Sequence, residues 1–88
     1  MKFQQLVYVR EVARCNLNVS QASKVLFTSQ PGISKQIKLL EEELGIELFE
    51  RSGKHLVSVT PVGEKILTQI EEILALVDGI KHAATEFS

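Results

Sequence analysis

The sequence predicts a mainly α-helical fold, in which three short helices and a β-hairpin precede one long helix. Apolar residues recur at helical spacing in residues 3–14, 18–26 and 29–45. Two β-prone runs then flank a short turn-forming stretch, which is the pattern of a hairpin. From residue 61 onward the pattern is helical again and continues without a break.

The first three helices are bounded by start and stop signals. Residues 16–18 interrupt the first helix, and Asn18 is suited to cap the second. Ser29 offers its hydroxyl to the free amides of the third helix. Pro31 fits the first turn of that helix because proline has no N–H to lose there. Gly45 is the expected C-cap, so the second and third helices are joined by a tight turn.

The hairpin is predicted to pair residues 46–50 with residues 56–59 around a basic tip at residues 51–54. A lone two-stranded hairpin is marginal in water, so we expect it to lean on the helices. Thr60 and Pro61 then begin the long helix, as a hydroxyl cap followed by proline at the first helical position.

The long helix carries an apolar seam with alternating spacings of four and three residues, which is a heptad pattern. Its members are Ile66, Ile70, Ile73, Val77, Ile80, Ala84 and Phe87. A seam of this length needs a partner in water, and we expect it to pair two copies of the chain. The alternative is that it packs against the first three helices of the same chain. Residues 1–60 and 61–88 are therefore interpreted as a globular domain and a linker or dimerisation helix.

Composition limits the classes of function. The chain has 88 residues, of which 44% are hydrophobic and 24% charged, as in one small globular domain. One cysteine and two histidines cannot form an internal disulfide or a structural zinc site. Cys15 and His55 would need an orienting third group to act as nucleophile and base. We therefore expect no enzymatic activity, no metal and no cofactor in these residues.

The sequence also argues against a membrane location. No apolar run approaches the length of a membrane span. Charged residues at Arg10, Glu11 and Arg14 lie where a signal peptide requires an apolar stretch. We expect a cytoplasmic protein without membrane contact.

Charge is distributed unevenly along the chain. The net charge is -1, although binders of nucleic acid usually carry a basic surplus. Residues 1–40 hold six Lys/Arg and one acid, whereas residues 41–50 hold five glutamates and no base. The amino-terminal part can therefore present a basic face despite the overall balance.

The order of elements favours a winged helix-turn-helix that binds DNA. Two short helices joined by a tight turn can lay the second helix in the major groove, and a following hairpin with a basic tip can reach phosphates. Gln30, Ser34, Lys35 and Lys38 supply the hydrogen-bonding groups that base edges require. The alternative is a helical protein-interaction module, in which these side chains simply solvate an exposed face.

The stretch SQASKVLFTSQPGISKQIKLLEEELGIELFERSGKHLVSVTPVG resembles the amino-terminal winged helix-turn-helix of LysR-type bacterial transcriptional regulators. The matching positions are Ala22, Ser29-Gln30-Pro31, Ser34, Gln36-Ile37, Leu40-Glu41, Leu44-Gly45, Leu48-Phe49, Arg51, Thr60 and Gly63. Gly32 and the Ser-Gly-Lys-His wing favour a subgroup that controls genes of cysteine biosynthesis and sulfur assimilation.

The resemblance implies a homodimer, formed through the linker helix, that binds a pseudo-palindromic site in double-stranded promoter DNA. Complete family members continue into an effector-binding domain, which we expect to be absent from these 88 residues. Full-length relatives in the subgroup bind an acetylated serine inducer in that domain. RNA polymerase is a further candidate partner of the full-length protein.

Each candidate residue is then assigned a role at the DNA. Residues expected at base edges in the major groove are Gln30, Pro31, Ser34 and Lys35. Residues expected at the DNA backbone or in the wing are Ser20, Ser29, Lys38, Arg51, Lys54 and His55. The acidic run at residues 41–43 is expected to point away from the duplex or to pair with nearby basic side chains.

Overall fold

Four α-helices and one two-stranded antiparallel hairpin make up the computed structural model, which describes residues 1–88. In chain order the elements are α1 (Phe3–Arg14), α2 (Val19–Leu26), α3 (Gln30–Leu44), β1 (Phe49–Ser52), β2 (His55–Val59) and α4 (Pro61–Glu86). The predicted fold class, a winged helix-turn-helix followed by a long helix, is confirmed. None of the helices combines the length and the apolar character needed to span a bilayer.

The predicted caps lie where the sequence placed them. Asn18 Oδ1 accepts the Gln21 N–H at 2.9 Å at the start of α2. Ser29 Oγ accepts the Gly32 N–H at 3.1 Å at the start of α3, and Gly45 ends that helix with a φ of 70°. Side-chain caps of this kind satisfy amides that have no partner inside the helix, so they fix where each helix begins.

The core lies where α1, α2 and α3 meet, and α4 covers one side of it. Its eleven buried apolar residues are Leu6, Val9, Val12, Ala22, Ile33, Ile37, Leu40, Leu48, Phe49, Ile70 and Leu74. Most are aliphatic, as the low aromatic content of the sequence requires. The hairpin adds Leu48 and Phe49 at its base, which attaches it to the helices.

The hairpin begins later and turns more tightly than the sequence pattern predicted. Strand β1 starts at Phe49 because the residues before it serve the end of α3: the Ile46 N–H bonds the Glu41 carbonyl at 3.2 Å. The turn contains only Gly53 and Lys54, with Gly53 at a φ of 62°. Arg51 is therefore a residue of β1, and its assignment to the tip was wrong.

The buried carboxylate of Glu41 connects α3 to the hairpin. It accepts the Leu48 N–H at 2.7 Å and the Phe49 N–H at 3.4 Å. The Arg51 guanidinium completes the arrangement, with its two terminal nitrogens 2.7 and 3.4 Å from the two carboxylate oxygens. For Glu41, the expectation that an acid of the 41–43 run pairs with a nearby basic side chain is confirmed.

The predicted seam of α4 divides into a covered part and an exposed part. Ile70 is only 2% exposed and packs with Leu74 in the core, while Ile66 packs partly buried against them. For this part, the alternative of packing within the chain was right, and Ile70 is not available to a second copy. The reason is geometric: α4 is roughly 39 Å long, so the core of α1 to α3 covers only its first half.

Beyond that point, the apolar side chains of α4 face solvent. Ile73, Ile80 and Phe87 are 43%, 70% and 90% exposed, Ala84 is exposed, and Val77 is half-buried. Leu76, which was not part of the predicted seam, is 71% exposed on the same side of the helix. The distal half of α4 therefore carries an unpartnered apolar face.

Gly63 allows the first turn of α4 to lie against the hairpin base. A Cβ at this position would lie 2.3 Å from the Leu48 carbonyl oxygen and 2.9 Å from Val59 Cγ1. No side chain fits beside a backbone oxygen at that distance, so we expect Gly63→Ala to lower the free energy of unfolding by about 1 to 3 kcal/mol. Urea denaturation followed by circular dichroism would measure this.

Gly79→Ala is the matched control for that substitution. It also lies in α4, and its added Cβ would meet no atom within 4 Å. It should raise the free energy of unfolding by about 0.5 to 1 kcal/mol, because alanine loses less backbone entropy in a helix. Equal effects of the two substitutions would contradict the close packing at Gly63.

Candidate nucleic-acid interface

The amino-terminal half of α3 presents a polar face opposite its buried stripe. Ile33 and Ile37 are buried, which orients the helix. Gln30, Ser34 and Lys35 are exposed, and at about 100° per residue Ser34 and Lys35 are turned roughly 100° and 200° away from Ile33. The hydrogen-bonding groups predicted for base edges are therefore available to solvent.

An open cleft of about 750 Å³ lies between α2, the amino end of α3 and the wing. Its lining residues are Val19, Ser23, Ser29, Gln30, Pro31, Ser34, Ile37, Lys38, Arg51, Gly53, Lys54 and Leu56. The fold thus brings side chains of the third helix and of the hairpin turn, which are distant in sequence, to one concave surface.

A second cleft adjoins the first and shares Val19, Gln30, Lys54 and Leu56 with it. Its other lining residues are Asn16, Leu17, Asn18, Ser20 and His55. Every predicted site residue except Lys35 lines one of these two clefts. Lys35 is exposed on α3 and lines neither cleft.

The clefts also contain polar residues that the sequence reading did not select. Asn16 lies in the turn between α1 and α2, and Ser23 lies on α2, where its hydroxyl donates to the Ser20 carbonyl at 2.6 Å. Nothing in the local sequence marks these residues, because they reach the clefts only through the packing of α2 across α3.

Three lysines at this surface have no acidic partner. The ion pairs of the chain join the terminal amine to Glu43, Arg14 to Glu71 and Arg51 to Glu41. Lys35, Lys38 and Lys54 are left unpaired and exposed. Such cations are the groups that bind phosphates and displace counterions from them.

The Arg51 guanidinium differs from these lysines because it is already held by Glu41. The carboxylate is 7% exposed and the Arg51 side chain is 34% exposed. A paired guanidinium of this kind is fixed in place by two hydrogen bonds, which favours a structural connection. Arg51 faces the first cleft, but its charge is largely matched inside the protein.

Cys15 and His55 do not form a catalytic pair. The Cys15 thiol lies 3.7 Å from a Glu11 carboxylate oxygen and lines neither cleft. Desolvation, together with the negative charge of Glu11 and its hydrogen bond, raises the pKa of this thiol above its ordinary value. His55 begins β2 and is exposed beside the second cleft.

Comparison with known proteins identifies relatives with the same fold and one matching family. Residues 3–64 match the family model described as "Bacterial regulatory helix-turn-helix protein, lysR family". The chain is 52% identical over its full length to CysB of Haemophilus influenzae, covering 27% of that protein. It is 44% identical to SsuR of Burkholderia cenocepacia and 43% identical to cbl of Escherichia coli, again over its full length, covering 29% and 28% of them.

Three solved structures have folds that superpose closely on this chain. BenM_DBD in complex with benA site 1 DNA superposes with a TM-score of 0.87 at 31% identity, over 99% of this chain and 96% of that one. CbnR_DBD in a DNA complex gives 0.81 at 36% identity, over 98% of this chain and 99% of that one. Full-length OxyR C199D from Pseudomonas aeruginosa gives 0.88 at 35% identity, over 98% of this chain and 28% of that one.

These matches differ in how much of the other protein they cover. The chain spans less than a third of the length of the curated relatives it matches, but nearly all of the two DNA-bound domains. The family match covers α1 to α3, the hairpin and the start of α4, so it includes every residue that lines the two clefts. The chain belongs to the LysR family of bacterial regulatory helix-turn-helix proteins.

Proposed function

We propose that this chain is the sequence-specific DNA-binding domain of a dimeric LysR-type transcriptional regulator. One observation carries the proposal: the polar amino end of α3 and two unpaired lysines, Lys38 of α3 and Lys54 of the wing, lie on one concave surface. Base edges and phosphates require those two kinds of group side by side. The likeness to BenM_DBD and CbnR_DBD, whose structures contain DNA, supports it.

In this proposal the amino end of α3 enters the major groove. Gln30 pairs with adenine through its amide, and Ser34 and Lys35 reach neighbouring base edges. Pro31 lies in the same turn and contacts bases or the adjacent backbone. Lys35 lies outside both clefts, and its ammonium group reaches base edges from the exposed side of α3.

In the proposal, residues around the amino end of α3 contact the DNA backbone. Lys38 and Lys54 neutralise phosphates, because neither has an acidic partner in the protein. Ser20 and Ser29 contribute hydroxyls at the starts of α2 and α3, where free amides also attract phosphate. His55 lies beside Lys54 and joins the wing contacts.

The exposed face of α4 supports the dimer. It consists of Ile73, Leu76, Val77, Ile80, Ala84 and Phe87, and it lies beyond the part of α4 that the core covers. Burying these side chains between two copies removes apolar surface from water. Two related domains would then present two copies of α3 to a pseudo-palindromic site.

The identity of the regulated genes is a further part of the proposal, and the named relatives support it. The similarity to CysB and cbl proteins leads us to propose genes of cysteine biosynthesis or sulfur assimilation as targets. Binding of an acetylated serine inducer, and contact with RNA polymerase, would belong to a complete regulator. A selection of random duplexes by this chain would test the proposal through the operator it returns.

A protein-interaction module is the second candidate function, because the exposed face of α4 could bind a different protein. Retention on a DNA column separates the two. A DNA-binding domain is retained at low salt and released as the salt concentration rises. Absence of retention at low salt would favour the interaction module.

Replacing Gln30 should change base preference. Gln30→Ala removes the amide that pairs with a base edge, so we expect a loss of about 1 to 3 kcal/mol and relaxed preference at one base position. Titrations on the selected site and on a scrambled site would measure this. Equal losses on both sites would contradict the assigned role of Gln30.

Replacing Lys54 should act on all sequences alike. Lys54→Ala removes one phosphate contact, so affinity for matched and scrambled sites should fall together and the salt slope should decrease by about one. Titrations at several salt concentrations measure the slope. An unchanged slope would show that the wing lysine does not contact phosphate.

Charging the exposed face of α4 should separate the dimer without unfolding the chain. Ile80 is 70% exposed in the single chain, so Ile80→Asp leaves the protomer fold intact. Each copy loses the burial of one large apolar side chain, so we expect the dissociation constant to rise roughly tenfold or more. Sedimentation velocity would measure it.

His82→Asp is the control for Ile80→Asp. It adds an acidic side chain two positions away, which is close to the opposite side of α4 at 3.6 residues per turn. The control should remain a dimer. If both variants or neither became monomeric, the Ile80 side of α4 would not be the interface.

A further inference from the structure

We propose that Glu41 is a positioning residue for DNA binding: through Arg51 and the start of β1 it holds the wing beside the amino end of α3. The proposal rests on the proposed function, because it concerns how the wing of the same site is held. Glu41 belongs to the acidic run at residues 41–43, whose negative charge by itself would repel DNA. The proposal gives this residue a structural role at the DNA-binding surface.

The contacts of Glu41 all lead from α3 to the hairpin. Its carboxylate is bound by the Leu48 and Phe49 amides at 2.7 and 3.4 Å. Arg51 donates to both carboxylate oxygens, at 2.7 and 3.4 Å. One buried side chain of α3 therefore binds three residues, Leu48, Phe49 and Arg51, of the segment that leads into the wing.

The hairpin has few other attachments that could set its direction. Its strands pack chiefly against each other, and the turn residues and Val57 are exposed. Phe49 is buried at the base, Leu56 and Val59 pack partly buried against the core, and the Thr60 hydroxyl donates to the Glu47 carbonyl. The Arg51–Glu41 pair is the only ion pair between the hairpin and a helix, and a two-stranded hairpin is marginally stable in water by itself.

Arg51 lies on β1 at the point where the register of the hairpin shifts. Glu50 pairs with Ser58 and Arg51 with Leu56, so Val57 of β2 is an extra residue, and such a bulge bends its strand and increases the local twist of the hairpin. Arg51, which precedes Lys54 by three residues, pairs with Leu56 across the hairpin. Fixing its guanidinium to Glu41 therefore fixes the bend that directs the wing toward Gln30 and Ser34, with which Lys54 shares a cleft.

The competing role for Arg51 is a direct contact with phosphate. Its side chain is partly exposed and faces the first cleft, so geometry alone allows that contact. The two roles differ in whether a lysine at position 51 could take the place of Arg51. A lysine at position 51 keeps the positive charge for a phosphate but cannot form two parallel hydrogen bonds with the Glu41 carboxylate.

A double-mutant cycle between Glu41→Gln and Lys54→Ala tests the proposal. In the wild-type background, Lys54→Ala should lower the salt slope of DNA binding by about one. Glu41→Gln should by itself lower the slope by about one, and Lys54→Ala should then add almost nothing. Base preference at the position read by Gln30 should be retained. Full additivity of the two substitutions would overturn the proposal.

Glu43→Gln is the matched control. It removes the same charge from the same helix, two residues away, and Glu43 contacts only the terminal amine rather than the wing. It should leave the effect of Lys54→Ala on the salt slope unchanged. If Glu43→Gln abolished that effect as well, the cause would be a general change of charge, and the proposal would fail.

If circular dichroism shows that Glu41→Gln does not fold, Arg51→Lys provides a second test of the proposal. The proposal expects Arg51→Lys to reduce the effect of Lys54→Ala, as Glu41→Gln does. A direct phosphate role expects Arg51→Lys to keep the wild-type salt slope and the full effect of Lys54→Ala. That second result would overturn the proposal.

Failure of the inference can be told from failure of the proposed function. If the wild-type chain is not retained on DNA, or if Lys54→Ala leaves the salt slope unchanged, there is no wing contact to position and both fail. If Lys54→Ala acts as expected but its effect is independent of Glu41 and Arg51, only the positioning role fails.

Discussion

Burial of one stripe of α3 is the constraint on which the rest of the structure depends. Ile33, Ile37 and Leu40 are almost wholly removed from water, and each contributes about 1.5 to 3 kcal/mol of burial. A helix fixed on one side must present its other side to solvent. The polar groups at its amino end are exposed for this reason, and the Ser29 cap determines where that end begins.

The same helix separates charges of opposite sign. The amino end of α3 at Gln30 and the glutamates at residues 41–43 are roughly 16 to 20 Å apart by the rise of a helix, and Lys35 and Lys38 lie between them. Glu41 is neutralised by Arg51, and Glu43 pairs with the terminal amine. An overall charge of -1 is therefore compatible with a basic surface, because the acids nearest to it are either paired or displaced along the helix.

Long α4 has two different environments, and each has a distinct consequence. Ile70 and Leu74 belong to the core, so the first half of α4 stabilises the domain. The second half extends past the core and leaves Leu76, Ile80 and Phe87 in solvent. A single apolar periodicity in α4 therefore serves two kinds of packing. Gly63 permits the first turn of α4 to approach the Leu48 carbonyl closely, and this contact sets the direction of the helix.

The sequence by itself determined the elements, their caps and the chemistry of the α3 amino end, because helical periodicity, Asn18, Ser29, Thr60 and Gly45 act on neighbouring residues. Contacts between distant segments decided the remainder. The end of α3 delayed β1, and the pairing of the two strands left only Gly53 and Lys54 in the turn, so Arg51 became part of β1. The limited reach of the core divided the α4 seam after Ile70. Only the packed chain could decide these outcomes, since each depends on which groups meet across the fold rather than along it.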